Sequence, residues 1–212
     1  MVRTTPPHDD EPSTVDDMDL VGGELCLDLV NTGSRREEGP FRDRLGTYDD
    51  LVRWGLRTGA LDERVAERLR NAVEGAPAQA ARATERARAL REATYRVFRA
   101  RLEGVAPAAA DLALLTEAGA EATAAQRLVT TEHGFDLEWP ATSSPDRAWW
   151  PAATSAVALL VSDDLSRVKE CATPNCNWLF VDASKNRSRK WCDMKDCGNR
   201  AKARRHYARR RG

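Results

Sequence analysis

Four of the five cysteines form two pairs of identical spacing near the C-terminal end of the sequence. Four residues separate Cys171 from Cys176, and four separate Cys192 from Cys197. A turn inside each pair allows all four thiolates to surround one zinc ion, which leaves no coordination position for a substrate and makes the site structural. The spacing therefore predicts a single structural Zn²⁺, with two local disulfides or four unlinked thiols as the alternatives. The fifth cysteine, Cys26, lies alone in an apolar segment and is expected in the core.

The residues around these pairs follow the order of a treble-clef zinc finger. Pro174 and Asn175 predict a turn inside the first pair, and residues 178–182 have the character of a strand. Residues 189–191 are the candidate return strand, and a helix-forming run follows Cys197. A knuckle, a hairpin and a helix thus succeed one another. Because this short segment has few large apolar residues, we expect the metal to supply most of its stability.

The charge of the sequence is balanced overall but not locally. There are 33 Lys and Arg against 33 Asp and Glu, whereas residues 183–212 contain twelve basic residues against only Asp193 and Asp196. So basic a segment favours an anionic partner, because a cationic helix can enter the major groove of DNA or lie along its phosphates. The alternative interpretation is a solvated cationic end.

The upstream sequence predicts a mainly helical domain with a small sheet. Residues 23–32 alternate in hydrophobicity with the period of a strand. Thr47 and Asp50 have the spacing of a capping box at the start of a helix. Further helices are expected over residues 62–73, 77–102 and 146–161, with a β-hairpin over 126–131 and 135–139. The side chains of the last helix expected to face inward are Trp149, Trp150, Val157, Leu160 and Val161.

These features divide the sequence into three parts and give an α+β fold class. Residues 1–18 are predicted to be a disordered acidic tail, residues 19–163 a mainly helical domain that senses a ligand or dimerises, and residues 164–212 a separate treble-clef-like finger with a basic helix. No apolar run approaches the ~18 residues of a membrane span. The first residues lack the apolar core of a signal peptide, so we expect a cytoplasmic protein with no membrane partner.

Two stretches resemble known families. Residues 171–184 and 189–202, which include the tetrapeptide CGNR at 197–200, resemble the CGNR zinc finger, and LCLDLVNT at 25–32 resembles the start of the ABATE domain that usually precedes this finger. Together the two resemblances cover nearly all of residues 20–210. Proteins of this architecture are described as stress-induced transcription regulators. The resemblance therefore implies that the finger binds double-stranded DNA.

The candidate nucleic-acid contacts are basic residues of the finger and of the helix after it. They are Arg187, Arg189, Lys190, Arg200, Lys202, Arg204, Arg205 and Arg209. Arginine can read guanine through two hydrogen bonds, whereas lysine and the last arginines are better suited to phosphates. Lys195 and Arg200 are also placed to offset the −2 charge of zinc bound by four thiolates. An RNA-binding, ribosome-associated or protein-docking zinc module remains the alternative to a DNA-binding regulator.

The sequence gives little support for catalysis. The three histidines lie in no triad-like setting, and neither nucleotide-binding glycine motif is present, so we expect no enzyme. Asp28, Asn31 and Arg35 follow one another at the end of the predicted first strand and are candidate ligands for a small-molecule effector. The alternative is that Asn31 and Thr32 cap the turn there. A homodimer is possible through the Ala-rich face of the long helix.

Overall fold

The computed structural model describes residues 14–36 and 41–211, except for the side chains of Arg205 and residues 208–211. These residues form seven α-helices and six short strands. The helices are α1 (Leu25–Val30), α2 (Tyr48–Arg57), α3 (Glu63–Val73), α4 (Pro77–Glu103), α5 (Ala109–Ala124), α6 (Trp150–Leu160) and α7 (Asn199–Arg211). The strands are β1 (Gly33–Ser34), β2 (Arg42–Asp43), β3 (Arg127–Thr131), β4 (Gly134–Glu138), β5 (Val168–Glu170) and β6 (Leu179–Val181). They pair as three antiparallel two-stranded sheets, so the predicted α+β class is confirmed.

Local signals in the sequence account for where several helices begin. At α2 the Thr47 hydroxyl accepts a hydrogen bond from the Asp50 N–H at 3.2 Å, and the Asp50 carboxylate accepts one from the Thr47 N–H at 2.8 Å. This is the predicted capping box. Asp62 caps α3 by accepting from the Val65 N–H at 2.7 Å. Helix α4 begins with a proline and ends at Gly104, whose φ of 72° is typical of glycine after a helix.

Helices α2 to α6 surround one main hydrophobic core. Trp54 of α2 and Trp149, just before α6, are both almost fully buried in it. Trp149 and Trp150 thus face inward as predicted, and Leu160 is half-buried. The same prediction is wrong for Val157 and Val161, whose side chains are 38% and 83% exposed. Helix α6 carries no charged residue, so its hydrophobic pattern does not show which side faces the core.

The segment predicted as the first strand is the helix α1. Five of its six residues are buried, because α1 packs against α4, α6 and the strand β6. A helix that is buried on every side shows no amphipathic period, and a chance alternation of leucines then resembles a strand. Cys26 lies fully buried on α1, as expected of a core cysteine, and burial raises the pKa of its thiol to about 12.

The predicted tail is partly ordered. Residues 1–13 lie outside the described residues, but Val15 and Met18 are 0% and 1% exposed. Val15 joins the main core, whereas Met18 packs among the four paired cysteines. The Asp16 carboxylate also forms an ion pair with Arg53 of α2. Residues 14–18 therefore belong to the folded body, because burial of two apolar side chains anchors this otherwise polar segment.

The finger is joined to the helical domain rather than separate from it. Val168 of β5 and Leu179 of β6 are buried in one cluster with residues of α1, α4 and α6. The Asn31 side chain donates to the Leu179 carbonyl at 2.9 Å and accepts from the Leu179 N–H at 2.8 Å. The Val181 N–H donates to the carbonyl of Gly22 at 2.8 Å. The two parts of the chain thus share a hydrophobic core and backbone hydrogen bonds.

Of the two hairpins that the sequence predicts, one is confirmed and the other has a different pairing. The predicted hairpin is confirmed as β3–β4, with Arg127 opposite Glu138 and Thr131 opposite Gly134. In the finger, β6 lies in the predicted segment 178–182 but pairs with β5, which precedes the first cysteine pair. The predicted return segment 189–191 is not a strand; it contributes a carbonyl of Lys190 that accepts from the Ala172 N–H at 2.8 Å.

Candidate metal centre and nucleic-acid interface

The four paired cysteines meet at one buried point. Their Sγ atoms all lie within 4.8 Å of one another. The Cys176–Cys192, Cys192–Cys197 and Cys197–Cys176 sulfur distances are 3.7, 3.5 and 3.7 Å. Four sulfurs about 2.3 Å from a zinc ion form a tetrahedron with edges of about 3.8 Å. All four are free thiols, so Cys171, Cys176, Cys192 and Cys197 are positioned to bind one metal ion, and the single structural zinc is confirmed over the disulfides.

Local turns bring each pair of cysteines together. Between Cys171 and β6 the chain reverses through Asn175 and Asn177, which have φ values of 63° and 56°. Asparagine tolerates this left-handed conformation better than most residues. The Cys171 N–H then donates to the Trp178 carbonyl at 2.9 Å, which closes the turn. The Thr173 hydroxyl donates to the Cys197 carbonyl at 3.3 Å and ties the first pair to the second.

The tetrapeptide 197–200 has one physical role per residue. Cys197 is a ligand, and a Cβ added to Gly198 would lie 2.5 Å from the Met194 sulfur, so a side chain there would displace that methionine. The Asn199 side chain donates to the Lys195 carbonyl at 2.7 Å and holds the turn of π-helix that leads into α7. The Arg200 guanidinium donates to the Cys197 sulfur at 3.1 Å.

An arginine lies beside the metal centre. Hydrogen bonds among the four sulfurs lower the pKa of Cys171 and Cys197 and raise the pKa of Cys176 and Cys192, so the four thiols share protons rather than ionise independently. Burial lowers the pKa of Arg200, but the Cys197 thiolate and its hydrogen bond outweigh burial and leave the pKa above its ordinary value. Arg200 therefore stays charged and offsets part of the negative charge of the thiolates, as predicted, whereas the Lys195 side chain is exposed.

Apolar side chains close the centre to solvent. Met18, Trp178 and Phe180 pack around the cysteines, and Phe180 is 0% exposed. The Arg189 guanidinium lies 4.2 Å from the centre of the Phe180 ring. A dry surrounding protects metal-bound thiolates from competing ligands and from oxidation. This centre suits a structural metal rather than a catalytic one.

The structure separates the predicted nucleic-acid residues into two groups. Arg189 is half-buried and donates to the carbonyls of Val21 (3.2 Å), Trp191 (3.0 Å) and Cys192, so these donors are used within the fold. Arg200 is directed to the metal centre and to Asp196. The side chains of Arg187, Lys190, Lys202 and Arg204 are exposed. Those of Arg205 and Arg209 lie outside the described residues.

The loop before the second cysteine pair is built around Asp182, which the sequence analysis missed. This carboxylate is fully buried and accepts from the Ser184 N–H (3.0 Å), the Arg189 N–H (3.0 Å) and the Lys169 ammonium (2.6 Å). The Lys169 and Ser184 hydrogen bonds hold its pKa well below its usual range. The Ser184 hydroxyl accepts in turn from the Ser188 N–H at 3.1 Å. The sequence did contain a signal for this role, because an acidic residue that lies between an apolar strand and a loop with two serines can accept hydrogen bonds from the loop backbone.

The candidate ligand-binding residues do not form a shared polar site. The Asp28 carboxylate accepts from the Gly22 N–H at 2.9 Å, and the Asn31 side chain is paired with the backbone of Leu179. Arg35 is half-buried in the loop after β1 and has a φ of 58°. Asn31 is the C-cap residue of α1, and the Thr32 hydroxyl donates to the Leu29 carbonyl at 2.7 Å. The Thr32 side chain therefore caps the end of α1, whereas the Asn31 side chain joins α1 to β6.

Comparison with known families follows the same division of the chain. Residues 23–163 match the model of the ABATE family, described as "putative stress-induced transcription regulator", and residues 167–210 match the model of the CGNR zinc finger. Both predicted resemblances are confirmed. A search of curated proteins found no match. Among the described residues, no helix combines the length and apolarity needed to cross a bilayer.

Proposed function

The chain belongs to the ABATE family and contains a CGNR zinc finger, and on that premise we propose that it regulates transcription by binding double-stranded DNA. The metal centre supplies a rigid base, and α7 and the loop 183–190 supply the contacts. Zinc, held by the four cysteines, supplies structure and no reaction step. The proposal assigns no catalytic role and places the protein in the cytoplasm, where reducing conditions keep thiols available to metal.

The observation that carries the proposal is the exposure of α7 directly after the last metal ligand. Lys202, Ala203, Arg204, His206 and Tyr207 are all exposed, although they point to every side of the helix. Helix α7 therefore projects from the body, while Cys197, in the turn directly before it, is fixed at the metal centre. The major groove of B-DNA is wide enough for such a helix. Its first turns carry cations and no acidic residue after Asp196.

A second group of cations lies on the loop 183–190. Lys185, Arg187 and Lys190 are exposed, and within the described residues they form no ion pair. The buried Asp182 fixes the backbone of this loop, so these side chains extend from a rigid support rather than from a mobile turn. Rigid supports reduce the entropy lost when long side chains bind phosphates. We assign this loop to backbone contacts and α7 to the groove.

The proposal includes no small-molecule effector at the end of α1. Asp28 and Asn31 use their polar atoms on the backbone of Gly22 and Leu179, so neither is available to a ligand. The helical domain instead supports the finger through the core they share. Regulation by a ligand is not part of the proposed function.

The test compares nucleic acids of equal length. The zinc-loaded protein is titrated against fluorescent 20-base-pair duplexes of random and genomic-fragment sequence, and against single-stranded and double-stranded RNA, with anisotropy as the readout. The proposal predicts tightest binding to DNA duplexes and a set of genomic fragments that bind at least 10³-fold more tightly than random duplex. Preference for RNA, or equal weak binding to every duplex at physiological salt, would refute a sequence-specific DNA-binding regulator.

A further inference from the structure

The β3–β4 hairpin exposes its apolar face to solvent, which is unusual in a monomeric protein. Its strands place Leu128, Thr130, Phe135 and Leu137 on one face, because Leu128 pairs with Leu137 and Thr130 pairs with Phe135. This face is open to solvent: Leu128, Phe135 and Leu137 are 67%, 72% and 52% exposed. On the opposite face, which carries the charged residues, Val129 is half-buried. The hairpin thus presents its apolar side outward.

Such a hairpin lacks what normally stabilises one. A two-stranded sheet is marginal in water unless a third strand or another layer covers its apolar face. The residues of β3 and β4 are exposed except for Val129, so within the described chain no layer covers the outer face. The outer face of the hairpin, defined by Leu128, Thr130, Phe135 and Leu137, carries no charge. Uncovered apolar surface of this kind marks a contact with another molecule.

We propose that the outer face of the β3–β4 hairpin packs against the same face of a second copy of this chain. The charges of the hairpin favour this occupant. Apart from His133 in the turn, Arg127 is its one basic residue, against Glu132, Asp136 and Glu138, so the hairpin repels both nucleic acid and an anionic membrane surface. An uncharged face is complementary to itself, because a two-fold axis through it brings no like charges together.

The size of the face sets the strength of the contact. Five residues per strand give a face about 17 Å long and two strands wide. This is well below the ~800 Å² per partner that a standard interface buries. The dimer is therefore weak, and it forms only at high protein concentration. Two adjacent sites on DNA, as the proposed function supplies, would raise the effective concentration of the two copies and stabilise it.

The association is tested without nucleic acid, so its outcome is independent of the proposed function. Sedimentation velocity of the zinc-loaded protein from 1 to 300 μM measures the monomer–dimer equilibrium. The variant L128T/F135T/L137T keeps residues that favour strands but removes the apolar face. It is expected to stay monomeric over the whole range with an unchanged far-UV circular dichroism spectrum and zinc content.

A matched pair of single variants distinguishes the outer face from the rest of the hairpin. Thr130→Val and Thr131→Val make the same chemical change on neighbouring residues that point to opposite faces. Thr130→Val is expected to lower the dimer dissociation constant about tenfold, because two extra apolar groups are buried per dimer. Thr131→Val should leave it unchanged. A wild-type protein that is monomeric at 300 μM, or equal effects of the two valines, would overturn the proposal.

Discussion

At the scale of single residues, polar contacts reinforce the hydrophobic core that the two parts of the chain share. Asn31 uses both ends of its amide on the backbone of Leu179, and Asp28 fixes Gly22, whose carbonyl receives the Val181 N–H. Sequence patterns could place these residues at the end of an apolar segment but could not show their partners. Asn31 and Leu179 are 148 positions apart, and only the folded chain brings them together.

Replacing Asn31 with alanine tests this joint. Two buried hydrogen bonds are lost, and the N–H and carbonyl of Leu179 are left without a partner. The free energy of unfolding is expected to fall by about 2–4 kcal/mol. Urea denaturation of zinc-loaded protein, followed by circular dichroism, measures the change. Asn31→Asp keeps the acceptor for the Leu179 N–H but places a buried carboxylate against the Leu179 carbonyl, so it is expected to lose at least as much as the alanine; a loss below about 0.5 kcal/mol for the alanine would contradict the assigned role.

The raised pKa of Asp28 predicts how the free energy of unfolding changes with pH. Burial, against the hydrogen bonds from Gly22 and Val21, raises the pKa of its carboxyl from 3.8 to about 6. The folded protein therefore binds this proton more tightly than the unfolded chain, so the contribution of Asp28 is most favourable below pH 4 and is lost as pH rises to about 6. The isosteric Asp28→Asn, which keeps the acceptor for Gly22, should be more stable than wild type at pH 7.5 and lose that advantage towards pH 4. Parallel stability curves for the two proteins over this range would refute it.

At the scale of elements, hydrophobic period and capping chemistry predicted the helices that have one solvated face. Helix α2 begins at its capping box, and α3 and α4 lie where the pattern placed them. The pattern was wrong for α1, which is buried on every side, and for the outer side of α6. In the finger, a strand was predicted correctly at β6, but its partner was not, because pairing depends on the fold of the preceding segment.

Two neighbouring arginines of the finger separate binding from structure. Arg187 is exposed, whereas Arg189 packs on Phe180 and donates to three carbonyls. Arg187→Ala should leave stability unchanged and reduce the slope of log K against log salt for duplex binding by about 1. Arg189→Ala should instead destabilise the protein by at least about 2 kcal/mol. Calorimetry measures the stability of both variants, and anisotropy measures their duplex binding. A loss of stability in Arg187→Ala, with a reduced salt slope but unchanged stability in Arg189→Ala, would contradict this interpretation of the loop.

At the scale of the whole molecule, the finger and the helical domain form one body around a metal centre. The N-terminal segment reaches this centre through Met18, and β5 and β6 cover α1. The sequence identified all four metal ligands, because their spacing reflects the local geometry of two turns. It did not reveal the shared core, because the apolar residues that form it are spread from α1 to β6.

Removal of one metal ligand tests whether the metal centre stabilises the core that the finger shares with the helical domain. Cys176→Ser should lose the one zinc per chain and unfold residues 168–200, and it should lower the melting temperature of the remaining helical domain, since α1 loses its cover. Cys26→Ser, the matched change at the cysteine outside the centre, should keep its zinc. Metal analysis and calorimetry give the result. Full zinc content in Cys176→Ser, or an unshifted helical-domain transition, would be inconsistent with the shared core.

The salt dependence of duplex binding tests the central claim most directly. Truncation after Arg200 retains every metal ligand and deletes six cations of α7, namely Lys202, Arg204, Arg205, Arg209, Arg210 and Arg211. If four of them contact phosphates, log K for the full chain falls against log salt with a slope of about −3.6 from this helix, and truncation removes that slope with zinc content unchanged. The control R64A/R82A removes exposed cations of the helical domain and should have no effect. A truncated protein that binds duplex DNA with full affinity and an unchanged slope would contradict the assignment of α7 as the DNA-binding element.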